Sequence, residues 1–146
     1  MIEYWQANSA VHRIWSEKTK GPVRILLESK KFCFDQVEFE IDGLLETPGG
    51  ILLNECKSNI RKADIQDLSK LFHRLQEYVD RLGLDEVAIQ HIKANRVECV
   101  LVCESFPSDV VREIKQLQFT AHAVAQTGAG YELLDVVFGK RGLKFP

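Results

Sequence analysis

Apolar and polar positions change period several times along the chain, and each change marks an element. Over residues 4–18, Trp5, Val11 and Trp15 fall on one helical stripe that ends before Gly21-Pro22, so a first helix is expected there. Val23–Leu27 reads as a strand, with Phe32-Cys33-Phe34 as its candidate continuation. From Val37 to Ile41 apolar residues alternate with Glu38, Glu40 and Asp42, the period of two that a strand requires. Thr47-Pro48-Gly49-Gly50 is a turn signal, and Ile51–Ser58 is a second strand. Strands joined this closely are expected to form an antiparallel hairpin.

After Asn59 the period lengthens. Ile65, Leu68, Leu71, Phe72, Leu75, Val79 and Leu82 follow helical spacing, with Asp64 as candidate N-cap and Gly83 just past the end. Val97–Cys103 is an apolar run of the kind buried on both faces. Pro107-Ser108 then opens a helix whose Val110, Val111, Ile114 and Leu117 face the core. His122–Gln126, a turn at Thr127–Gly130 and Tyr131–Phe138 read as a final hairpin. The order is α-β-β-β-α-β-α-β-β over one domain, residues 1–146, and it predicts an α/β fold with a mixed central sheet flanked by helices.

Composition narrows the function classes. Apolar residues make 45% of the 146 and charged residues 27%, which suits a globular rather than a disordered chain. Nineteen Lys+Arg against twenty-one Asp+Glu leave a formal charge of −2, which excludes a histone-like polycation. A nucleic-acid partner stays open, because binding depends on where charge lies. No apolar run approaches a membrane span, and Met1–Gln6 has no signal-peptide pattern, so the cytoplasm is the expected location. Cys33, Cys56, Cys99 and Cys103 include no Cys-x-x-Cys pair, and the four histidines form no His-Glu-x-x-His motif. Free, buried thiols are expected, and a zinc site loses ground.

The hairpin carries the chemistry. With Thr47–Gly50 as the loop, Glu46 pairs with Ile51, and counting back sets Gly43 opposite Asn54, Asp42 opposite Glu55 and Glu40 opposite Lys57. Cross-strand partners have Cβ atoms about 5 Å apart, so Asp42 and Glu55 would put two carboxylates on one patch. Lys57, two residues beyond Glu55, shares its face. Adjacent carboxylates repel, and a divalent cation with oxygen ligands relieves that repulsion. Magnesium with a lysine beside it suits hydrolysis of a phosphodiester.

These residues resemble a known family. Phe39-Glu40-Ile41-Asp42-Gly43-Leu44-Leu45, the Pro-Gly-Gly turn and Gly50-Ile51-Leu52-Leu53-Asn54-Glu55-Cys56-Lys57-Ser58 are similar to the core of the PD-(D/E)xK nuclease superfamily, the restriction-endonuclease-like fold. The resemblance implies that Asp42 and Glu55 are ligands of Mg2+ or Mn2+, with the Cys56 backbone carbonyl as a third, and that Lys57 positions or activates the water. It also implies a nucleic-acid substrate, DNA, and a homodimer or an additional domain as partner. Glu40 and Gln66 are the candidates for support. Two departures stand out: Ile41 replaces the usual proline, and the first helix offers only Glu3 and Glu17 where many members place a glutamate. An inactive nuclease-like domain that binds nucleic acid or protein is the alternative reading.

Two other Glu-x-Lys triplets lack this context: Glu28-Ser29-Lys30 has no upstream aspartate, and Glu113-Ile114-Lys115 falls on an expected helix, where positions two apart do not share a face. Basic residues at His12-Arg13, Lys18–Lys20, Lys30-Lys31, Lys57-Arg61-Lys62 and Lys140-Arg141-Lys144 are candidates for a phosphate-tracking groove.

Overall fold

The computed structural model describes residues 2–128 and 130–138, with side chains as far as residue 134. The basic cluster at Lys140-Arg141-Lys144 lies outside the described residues. Helix α1 (Tyr4–Thr19) leads into strands β1 (Arg24–Phe34), β2 (Val37–Thr47) and β3 (Gly50–Asn59). Helix α2 (Lys62–Glu77), a 3-10 turn at Val79–Arg81 and helix α3 (Glu86–Lys93) precede β4 (Val97–Ser105). Helix α4 (Ser108–Ile114) and strands β5 (Ala121–Thr127) and β6 (Gly130–Phe138) complete the fold.

The six strands form one sheet in chain order, β1 to β6. The β1–β2, β2–β3 and β5–β6 pairs are antiparallel, whereas β3–β4 and β4–β5 are parallel. The parallel steps follow from the chain: α2 and α3 return it after β3, and α4 after β4, as parallel neighbours require. This is the mixed α/β sheet flanked by helices that the hydropathy pattern predicts. Among the described residues no helix is long and apolar enough to cross a membrane.

Two cores sandwich the sheet. Ala7, Val11 and Trp15 of α1 pack on Leu45, Leu52, Val100 and Val102. On the other face α2, α3 and α4 contribute Ile65, Leu68, Ile92 and Ile114 against Leu44, Leu53, Cys99 and Leu101. Strands β3 and β4 feed both cores, which explains their near-continuous apolar sequence.

Several local expectations change. Trp5 is 60% exposed, so the buried stripe of α1 is Ala7, Asn8, Ala10, Val11 and Trp15. Thr47 pairs with Gly50, leaving only Pro48-Gly49 as the loop. The Thr47 hydroxyl accepts from the Gly49 and Gly50 N–H groups at 3.2 Å each and so closes that turn. Helix α2 ends at Glu77, with Val79 continuing as a 3-10 turn, and Gly83 takes φ +80° beyond it. Its N-cap is Arg61; Asp64 sits in the first turn and accepts from the Arg61 N–H at 2.8 Å. Helix α3 escapes the periodicity because it is short and buries only Ala88 and Ile92, although its Asp85 cap, which accepts from Ala88 N–H at 2.9 Å, is a legible signal. Three cysteines are buried and free, but Cys33 is exposed. At the sheet edge, β1 is mostly exposed; its register to β2 shifts between Ile25 and Leu27, and Ser29 takes φ +44°.

Candidate carboxylate site

The β2–β3 register runs from Thr47↔Gly50 to Gly43↔Asn54, as the counted hairpin requires. Asp42 and Glu55 come next, and the regular ladder stops before them. Ile41 and Leu44 both enter the core beneath α2, although strict alternation would put residues three apart on opposite faces. Strand β2 is therefore irregular at Asp42-Gly43. In place of a ladder bond, the Cys56 N–H donates to Asp42 Oδ2 at 2.9 Å.

Helix α1 supplies the second brace. Asn8 is fully buried; its Nδ2 donates to the Asp42 carbonyl at 3.0 Å, and its Oδ1 accepts from Asn54 Nδ2 at 2.8 Å. Gly43 is what lets the helix come this close, because a Cβ there would overlap Asn8 Oδ1. The Asn8 amide thus fixes the backbone of Asp42 while the Cys56 amide fixes its side chain.

Asp42 is 5% exposed, and Glu55 is half-buried on β3. Their side chains are in hydrogen-bonding contact, which two carboxyls achieve by sharing a proton. Burial is the main cause that pushes Asp42 up, to about 6, with the Glu40 charge adding to it. Burial, and next the Asp42 charge, push Glu55 up to about 8. Lys57 opposes both shifts, so its ammonium is part of the same electrostatic unit.

Lys57 Nζ itself lies 3.3 Å from Asp64 Oδ1. Asp64 is held below the usual carboxylate range: burial works against ionisation, but the Arg61 N–H and Lys57 outweigh it. Glu40 is half-buried and stands opposite Lys31 of β1. Gln66 is exposed and donates to Glu113 Oε1 on α4 at 3.3 Å. Cys56 is buried, and burial, with Asp42 and Glu55 nearby, keeps its thiol protonated.

Sequence reasoning missed three participants. Asn8 is a polar residue on the buried stripe of α1, a signal that hydropathy alone discards. Asp64 was legible as a helix-start residue but not as the partner of Lys57. Tyr4 is pushed up to about 12 by burial, then by Asp42 and Glu40, so its phenol stays a neutral donor beside the pair. Among the described residues no group of three or more His, Cys, Asp and Glu side chains is placed to hold a metal.

No family model and no curated protein matches this chain. Among solved structures it is similar to the small subunit of the heterodimeric restriction endonuclease R.BspD6I. The TM-score is 0.44 and the identity 14%, over 86% of this chain and 65% of that one. This chain therefore spans less than two thirds of the length of that subunit.

Proposed function

We propose that this chain is a divalent-cation-dependent nuclease that hydrolyses phosphodiester bonds in DNA. One observation carries the reading: two interacting carboxyls, one buried and one half-buried, at the open end of a hairpin, with a lysine two residues beyond one of them. Burying such a pair without an apolar purpose is costly. A bound cation offsets that cost, which makes the donor set chemically suited to one.

Asp42 and Glu55 would hold Mg2+ or Mn2+, with the Cys56 backbone carbonyl and water completing the oxygen ligands a hard cation prefers. When bound, the cation supplies positive charge at the phosphate and a more acidic water. The carboxyls give up their shared proton on taking it. The Cys56 and Asn8 amides keep Asp42 from turning away. Lys57, steadied by Asp64, orients the attacking water and offsets the negative charge that develops on the phosphate oxygens. Glu40 acts on Asp42 through its charge. A cytoplasmic setting, a single-domain organisation and pairing as a homodimer or with a further domain belong to the same proposal.

The test combines calorimetry with Mn2+ and cleavage of single-stranded, duplex and branched DNA in Mg2+, Mn2+ and EDTA. Asp42→Ala and Glu55→Ala are expected to lose both cation binding and cleavage. Lys57→Ala is expected to keep the cation and lose at least about 100-fold in rate. Full activity in any of the three, or cleavage that survives EDTA, overturns the assignment. A chain that binds no Mn2+ and cuts no substrate would instead fit an inactive nuclease-like domain that binds nucleic acid or protein.

A further inference from the structure

Trp5 has the spacing of a core residue, yet it is 60% exposed while Trp15 on the same helix is 3% exposed. Exposed apolar side chains are ordinary when scattered. Trp5 differs from the equally exposed Val87 in what it faces. Trp5 lines an open cleft of about 670 Å3 together with Tyr4, Glu28, Ser29, Cys56 and Lys57, within the range of about 300–1,000 Å3 that takes small ligands. Tyr4, which also lines the cleft, is within reach of the Asp42, Glu40 and Glu55 charges, so the cleft opens near the carboxyl pair. The platform is also fixed in place: Asn8, one helical turn after Trp5, is clamped to Asp42 and Asn54.

We propose that Trp5 is a stacking platform for an unpaired nucleobase of the substrate, beside the phosphate that Lys57 attends. The inference rests on the nuclease reading above and adds a preference to it. Every base offers a π-face, so an indole binds bases without reading sequence. Glu3 and Glu28 share the cleft and repel phosphate, which leaves the backbone to Lys57 and the base to the ring. A base inside a duplex has both faces occupied by its neighbours. A free face exists in a single strand or at a branch, so such substrates are favoured over continuous duplex.

The experiment measures binding of a fluorescein-labelled oligothymidylate and of a duplex of equal length, in EDTA, by the unaltered chain, Trp5→Phe and Trp5→Ala. Trp5→Ala is expected to lose about fivefold or more in single-strand affinity. Trp5→Phe should stay within about twofold, since a ring remains, and duplex affinity should not move. Equal single-strand affinity in Trp5→Ala, an equal loss on both substrates, or no single-strand binding by the unaltered chain overturns the proposal. Calorimetry with Mn2+ on the same proteins separates the two readings. Intact Mn2+ binding and cleavage with no effect of Trp5→Ala sinks the platform alone. A Trp5 effect in a chain that neither binds Mn2+ nor cuts sinks the nuclease and leaves the platform standing.

Discussion

The two ends of the β2–β3 hairpin are built on different rules. At the turn end the ladder is regular, Leu44, Leu45, Leu52 and Leu53 divide between the two cores, and the Thr47 hydroxyl closes the loop. At the open end the ladder stops after Gly43↔Asn54, and side chains take over the bonds: Asp42 accepts from Cys56, and Asn8 donates to Asp42. The first end is stable because of what it buries. The second holds groups that resist burial, and it is held from outside the hairpin by α1. The difference places the buried carboxyls where backbone pairing lapses and amide hydrogen bonds to Asp42 replace it.

Substitutions at the two glycines separate these ends most sharply. A Cβ at Gly50 would overlap the Arg96 carbonyl oxygen, which belongs to backbone and cannot turn aside. Gly50→Ala is expected to cost about 3 kcal/mol in urea unfolding while Mn2+ affinity of the folded fraction stays unchanged. Gly43→Ala would meet Asn8 Oδ1, a side-chain atom. It should cost about 1–3 kcal/mol and also lower Mn2+ affinity about 10- to 100-fold, because Asn8 can move only by releasing Asp42 and Asn54. A Gly43→Ala protein that binds Mn2+ normally would break the comparison.

A second prediction uses protons. The folded carboxyls stand at about 6 for Asp42 and about 8 for Glu55, above their ordinary 3.8 and 4.5. The native pair therefore keeps protons that the unfolded chain has already released. Stability contributed by the pair is full below about pH 4 and is lost as pH rises through the folded values, between about pH 4 and 8. Glu55→Gln keeps a hydrogen-bonding group there and removes the charge. In EDTA at pH 8 it should raise stability by about 1–2 kcal/mol, or about 2–8 °C in thermal midpoint, with the gain shrinking toward pH 5. Identical midpoints at pH 8 would show that the open end carries no electrostatic cost. The smallest effect is expected at Gln66, which is exposed and bonded to Glu113. Gln66→Ala should change cleavage by less than about twofold and stability by under about 0.5 kcal/mol.

The legible parts of the sequence were those governed by period. Alternation in β2, the apolar run of β4 and the 3.6-residue stripe of α2 each follow from one face, or two, being dry. Register was legible too, because the short turn around Pro48-Gly49 sets which residues of the two strands stand opposite each other. Counting stops being sufficient at Asp42, where an irregular strand no longer obeys the period. The roles of Asn8 and Asp64 were hidden for another reason. They depend on contacts 34 and 46 residues apart in sequence for Asn8, and on a helix docking over β3 for Asp64. Trp5 was misplaced because spacing identifies a helical stripe but not where its edge lies.

The clamp made by Asn8 has a consequence for the order of assembly. The hairpin is local and can close early, whereas the amide that fixes Asp42 arrives only when α1 has docked across the sheet. A chain with the hairpin formed and α1 undocked carries both carboxyls without the bond that orients one of them. The orientation of Asp42 is thereby tied to completion of the fold, and a partly folded chain holds the two carboxyls without it.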